Sequence, residues 1–373
     1  MPDLTNIEVT KLEHDDESGL ASWDQFVLDC PRGAAGQLST WLGSFRPYGA
    51  RFTVWLFRDT DSQDVVAGIG LLAFGNRWLG WATAPSGPIV ALGYEELVPR
   101  ILQVAVDFAR GEGLAFLQLQ LPTHDSATQL LLPADTDYTS SLPVQEGSLV
   151  SIGMGARQLK YVEFPNETDL DAWQARVLAG FSGSTRRNIR LALKNELRCE
   201  EAQDDQAIRE GFGIIESNGR RLGYPTRRWQ DFGSTLITQV RRQHAVLLLV
   251  RHRGSIVGAH YAMLAGRRYT YSMGGNERIE PDPRIGHGLH WHAMLKAREL
   301  GMSGYDFATG GTAGVKRFKA GFRPVDLLFG PPQYISLKPV GVALITKIAP
   351  VLRSQRKRIS AFLSKLKSKP KPI

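Results

Sequence analysis

Two segments of this 373-residue chain space their charged side chains in ways that could do chemistry. The first is STRRNIRLALK (184–194). Ser184 or Thr185 can cap a helix, on which Arg186, Arg190 and Lys194 recur every fourth residue as one cationic stripe with Arg187 beside it. Glu196 is the only carboxylate between Ser182 and Arg198. Such a stripe suits a diphosphate or a nucleic-acid backbone, and it equally describes a solvated helix face. The second segment is YDFATGGTAGVKRFKAGF (305–322). A buried strand would deliver Asp306 and Phe307 to a Gly-rich turn whose backbone can approach a ligand closely, and Lys316, Arg317 and Lys319 follow within four residues. Backbone N–H groups with cations nearby serve an acyl-transfer oxyanion or a phosphate; the plainer alternative is a surface turn before a basic helix. Asp306 could take a proton from an attacking amine or be a buried structural carboxylate.

Other patterns exclude chemistries. There is no Gly-x-Ser-x-Gly elbow, so hydrolase logic lacks support. His287, His290 and His292 resemble a metal cluster, but His290 and His292 would point to different helix faces and no HExxH spacing accompanies them, so no metal is expected. Cys30 and Cys199 are the only cysteines and neither has a partner at metal-ligand spacing.

The elements that must position these groups repeat in order. Residues 51–59 and 65–75 read as strands, 78–90 as a third strand ending in a Pro-Ser-Gly-Pro loop, 95–110 as a helix stopped by Gly111 and Gly113, and 114–120 as a buried strand. The same order returns at 245–253, 255–264, 267–275, the helix 288–300 and the strand 303–311. Helical patterns at 184–195 and 203–243, the latter split at Gly223–Pro225, precede the second meander, and 121–157 is irregular. That order resembles the GNAT acyltransferase fold used twice, which implies an α/β protein of two GNAT-like domains, 1–157 and 158–335, each a mixed, mostly antiparallel sheet flanked by helices, followed by a C-terminal segment with a basic helical tail, 336–373.

Residues 353–373 carry eight Lys and Arg and no acid, which accounts for the whole net charge of +8. The body is neutral by count, so the charge does not make it a general nucleic-acid binder. In the tail, Ile359, Phe362, Leu363 and Leu366 fall at helical spacing among the cations. That suits contact with an anionic membrane, or a helix packed on the body. The N-terminus has no apolar signal core, and the apolar stretch 340–352 is short and holds Lys347 and Pro350. A cytoplasmic protein is expected, docked at the inner face of the membrane where the tail binds it.

Together these segments resemble the Fem family of aminoacyl-tRNA-dependent peptidoglycan bridge transferases. The resemblance runs over most of residues 35–335 and rests on Gln37 with Trp41, APSGPIV (84–90), RRNIRLALK (186–194) and the YDF…RFKAGF ending. It implies transfer of an aminoacyl group from aminoacyl-tRNA to an amine of a UDP-linked or lipid-linked muropeptide stem, without a cofactor. The family's Phe-Lys pair falls on Phe318 and Lys319, and Lys319 would stabilise charge at the tRNA acceptor end or on the oxyanion. Its first-domain cationic position falls near Arg46, offset by about one residue. Arg46 would hold the precursor's diphosphate with Arg220 or Arg221. Tyr271, on the same strand face as Tyr269, would line the acceptor site or belong to the core. Residues after about 335 would return to the first domain. The alternative is a GNAT-type acyl-CoA-dependent N- or O-acyltransferase acting in polysaccharide or cell-envelope biosynthesis, since RIGHG (284–288) resembles the GNAT phosphate loop one residue short.

Overall fold

The computed structural model describes residues 6–76, 80–119, 158–195, 197–308, 312–328 and 333–345. The irregular segment 121–157, the glycines of the turn at 310–311 and the basic tail lie outside the described residues.

The first half runs β1 (Ile7–Leu12), α1 (Glu17–Asp29), α2 (Ser39–Gly43), β2 (Arg51–Asp59), β3 (Val65–Phe74), β4 (Trp81–Ala84), β5 (Ile89–Val90), α3 (Val98–Gly111) and β6 (Phe116–Leu119). Asp59 closes the β2–β3 turn by accepting from the amides of Asp61 and Ser62 at 2.9 and 3.2 Å. The strand expected within 78–90 is β4, the expected Pro-Ser-Gly-Pro loop follows it, and the short β5 comes after; Gln37 ties the turn between the two strands down. Gln37 Nε2 donates to the carbonyls of Pro85 and Gly70 at 2.9 and 3.1 Å, and Gly70 N donates back to Oε1 at 2.6 Å. Gln37 is thus a structural clamp, fully buried.

The second half runs β7 (Gln158–Glu163), α4 (Leu170–Gly180), α5 (Gly183–Lys194), β8 (Arg198–Glu201), α6 (Asp205–Leu222), α7 (Trp229–Arg241), β9 (Ala245–His252), β10 (Ser255–Ala265), β11 (Arg268–Asn276), α8 (Ile285–Glu299), β12 (Gly304–Asp306), α9 (Ala313–Ala320) and β13 (Val325–Leu328). The strand expected over 303–311 ends at Asp306, whose carboxylate accepts from Ala308 N at 2.8 Å while Ala308 turns to a φ of 51°. After β13, β14 (Gln333–Ser336) pairs antiparallel with β6, and helical residues 339–345 bring Val342 and Ile345 against Phe116 in the first half.

The sheet orders are β1-β2-β3-β4-β6-β14, with β5 on β3, and β13-β7-β12-β11-β10-β9-β8. Each is antiparallel except for one parallel pair, β4 with β6 and β11 with β12. The halves share one apolar core in which Trp23, Leu42 and Phe52 meet Phe212, Phe232 and Tyr261. Arg268 crosses the seam, donating to the carbonyls of Pro31 and Gly33. No helix among the described residues is long and apolar enough to cross a membrane.

Candidate active site

A cavity of about 1060 Å³ opens between α6, β10, β11, the N-terminal part of α8 and α9, and Trp41 of the first half reaches it. One wall is the α6–α7 connection, where Gly223 takes a φ of 72° to end α6.

Lys319 lies at this cavity, 6% exposed, and its Nζ donates to the carbonyls of Phe307 and Ala308 at 2.6 and 3.1 Å. Burial pushes its pKa down to about 8, opposed by the charge of Asp306. Thr312 caps α9 by accepting from Val315 N, which sets the pitch at which Phe318 and Lys319 face inward. The Phe318 ring lies 4.8 Å from His287 and 5.4 Å from His290. Asp306 does not line the cavity. It is fully buried, one oxygen holds the turn at Ala308 and the other is without a hydrogen-bond partner, and burial raises its pKa to about 6. The geometry therefore gives it the structural role rather than that of proton acceptor.

Of His287, His290 and His292, only His290 lines the cavity, together with His260 of β10. Among the described residues no group of three potential ligands could hold a metal ion. Tyr305 Oη instead sits 2.6 Å from His290 Nδ1 and 2.7 Å from His260 Nε2. The Tyr271 ring packs against His260 at a tilt of 38°, with 4.7 Å between ring centres, and Lys319 Nζ lies 5.6 Å from the Tyr271 ring centre. Burial keeps both imidazoles neutral: His260 is pushed down to about 3 and His290 well below its usual range, the latter also by the charge of Lys319.

The arginines sort differently from the sequence expectation. Arg46 is exposed in a short 3-10 turn and Arg220 is exposed on α6; neither lines the cavity. Arg221 does, donating to Asn218 Oδ1 and to the carbonyl of Asn276 at 2.6 and 3.1 Å. The residue that sequence reasoning missed is Arg227. Its guanidinium lies 4.3–5.4 Å from the rings of Trp41, Phe45, Tyr48 and Phe232 and donates to Ser44 Oγ at 2.7 Å. Its Nη2 is buried without a hydrogen-bond partner. The cationic stripe is broken at its first member, because Arg186 caps the end of α4 through the carbonyls of Ala179 and Phe181. Arg190, Lys194 and Lys316 are exposed outside the cavity lining.

This geometry can now be set beside known proteins. Residues 180–320, which run from the end of α4 through α9, match the family model described as an acetyltransferase (GNAT) domain. No curated protein matches the sequence significantly. The solved structure of FemX is similar over 91% of this chain and 100% of its own length, with a TM-score of 0.71 at 16% identity. The chain has a Fem-like tandem GNAT fold. The same tandem GNAT arrangement is less closely similar to two further structures. One is the C-terminal domain of a putative lysylphosphatidylglycerol synthetase from Agrobacterium fabrum (90% of this chain, 97% of that one, TM-score 0.50, 14% identity). The other is L-PGS from Bacillus licheniformis (91% and 98%, TM-score 0.50, 13% identity).

Proposed function

We propose that this chain is an acyltransferase that moves an aminoacyl group from aminoacyl-tRNA to an amine on the stem peptide of a UDP-linked or lipid-linked peptidoglycan precursor. The observation that carries the reading is Lys319, a buried cation at the cavity floor with two carbonyl acceptors. An aminoacyl ester is already activated, so the protein must align ester and amine and stabilise the oxyanion of the tetrahedral intermediate. A buried ammonium is strong at that task because little water screens it. Arg227 with its unpartnered Nη2 supports an acceptor carrying phosphate, and it takes the place that Arg46 and Arg220 held in the sequence expectation. Incubation with charged tRNA and a UDP-linked muropeptide should give a new amide bond by mass spectrometry. Absence of product with every charged tRNA, together with tight coenzyme A binding, would overturn the choice of donor.

The acyl-CoA reading rests on the start of α8, where Arg284 adopts a φ of 66° and Gly286 lines the cavity. Phe318 borders that turn, since a Cβ added to Gly286 would lie 3.6 Å from its ring.

A further inference from the structure

Beside Lys319 the cavity wall holds a hydrogen-bonded chain of three buried side chains. His290 of α8 lines the cavity, Tyr305 of β12 lies behind it, and His260 of β10 meets the same hydroxyl. Tyr305 and His260 keep almost no exposed surface, whereas His290 keeps 8%. Its Nδ1 is turned toward Tyr305, so the edge that His290 offers the cavity is the opposite one, with Nε2. That nitrogen makes no hydrogen bond to any described residue and is not sealed in the core. What His290 can do in the cavity depends on whether Nε2 carries hydrogen.

The far end of the chain decides it. A buried imidazole stays neutral and carries one hydrogen. Tyr305 also has one, and among the described residues the two imidazoles are the only partners of its hydroxyl. It therefore donates to one ring and accepts from the other. If it donated to His260, the hydrogen of His260 would sit on Nδ1, which is buried with no hydrogen-bond partner. Such an orphaned N–H is rare and costs its full desolvation penalty. The reverse direction puts no hydrogen there and leaves only a lone pair unmet. His260 then donates from Nε2 to Tyr305, Tyr305 donates to His290 Nδ1, and the hydrogen of His290 stands on Nε2, facing the cavity.

We propose that His290 Nε2–H is a hydrogen-bond donor to the oxygen of the acyl group, acting beside Lys319, and that Tyr305 and His260 are positioning residues that fix its tautomer. The inference rests on the acyl-transfer reading of this cavity. Both donors stand on one wall, since the Tyr271 ring centre lies 5.1 Å from that of His290 and 5.6 Å from Lys319 Nζ. As the amine nitrogen bonds to the acyl carbon, an electron pair of the carbonyl moves onto its oxygen, where the ammonium and the fixed N–H meet the new charge. The pair returns as the bond to the leaving oxygen breaks. That oxygen departs with the proton the amine gives up, so atoms and charge balance with no further reactant. His290 itself neither takes nor gives a proton.

Two measurements on the full chain test this. NMR of isotope-labelled histidines, with His290 assigned by its loss in His290→Gln, should show a neutral Nε2–H tautomer near neutral pH. An Nδ1–H tautomer overturns the proposal without any substrate being present. In Tyr305→Phe the same signal should become a mixture of the two tautomers, and an unchanged signal overturns the positioning role. In turnover with charged tRNA and a muropeptide amine, His290→Ala should lower kcat by about 10²–10³-fold with KM little changed. His290→Gln should recover part of that loss, because its amide donates a hydrogen bond and cannot serve as a base. A His290→Ala variant at full rate, or a folded His290→Gln variant as slow as His290→Ala, overturns the donor role and leaves the transferase reading standing. A wild-type chain inactive toward charged tRNA and acyl-CoA alike overturns both.

Discussion

The two halves of the molecule use one scaffold and differ in what stands beside the parallel strand pair. In the first, Phe45, Phe74, Trp81, Phe116 and Tyr334 make an unbroken line of ring contacts, with centroids 6.3, 5.3, 6.3 and 6.1 Å apart. In the second, the rings beside β11 and β12 are Tyr271, His260, Tyr305 and His290, with Lys319 over Tyr271. The rings of this first line gain by closing on one another, with Trp81 Nε1 buried without a hydrogen-bond partner. Polar rings must keep hydrogen-bond partners, and those partners hold the wall of a cavity in place. The sheet topology is thus a frame that either half could have used; in the second half a buried cation, Lys319, lines the cavity, whereas the buried Arg32 of the first half pairs with Glu95 away from it.

The sharpest way to break this contrast is Lys319→Met, which keeps the length of the side chain and removes its charge. If the cation works mainly on the tetrahedral intermediate, kcat should fall by about 10²–10³-fold while precursor affinity holds. Single-turnover kinetics beside equilibrium binding would check it, and near-normal turnover would strip the second half of its distinction. Phe116→Ala asks the opposite of the first half. Removing a fully buried ring from the stacked line should cost about 3–5 kcal/mol in a denaturant melt. The kcat of the folded fraction should stay put, and a matching fall in kcat would mean that the first half takes part in the chemistry.

Arg227→Ala tests the seam. Loss of a charged hydrogen-bond donor is worth about 1.5–3 kcal/mol, or about tenfold or more in precursor affinity, whereas Arg46→Ala should change affinity little. Equal effects from the two would restore the sequence expectation for Arg46.

Much of the frame was legible because its strands and helices bury one face. The two meanders, α3 and α8 show as hydrophobic periods, and the break between α6 and α7 shows in Gly223 and Pro225. β1 was missed because IEVTKL buries only its two end residues. β8 was missed because RCEE has no apolar pattern and is held by its ladder with β9 and the pairing of Glu200 with Arg251. The site divides in the same way. Lys319 could be found because it lies in a local motif with Phe318. Arg227 gains its meaning from Trp41, Phe45 and Tyr48, which fold around it from far upstream, and no window of sequence shows that cage. His290 was judged against a metal pattern within its own helix, while its partners are Tyr305 and His260 on neighbouring strands.

The smallest expected effect is on stability in acid, and it should be unequal between the halves. His244, His260, His287, His290 and His292 all have pKa values lowered by burial, to about 4 for His244 and His287 and about 3 for His260. Between those values and the ordinary 6.5 the unfolded chain binds protons that the folded chain refuses, so stability falls as pH falls through that window. Asp24 and Asp306, raised to about 6, act in the opposite sense between 3.8 and 6, because the folded chain there holds the extra protons. Five histidines against two carboxyls leave a net loss in acid. Four of those histidines lie on β10 and α8, while His244 sits at the seam against Thr40. Hydrogen exchange near pH 5 should therefore accelerate first in β10 to β12 and leave α3 and β6 protected. If α3 and β6 open together with β10, the shared core around Trp23 and Tyr261 binds the halves into one cooperative unit, and the contrast between them is confined to chemistry.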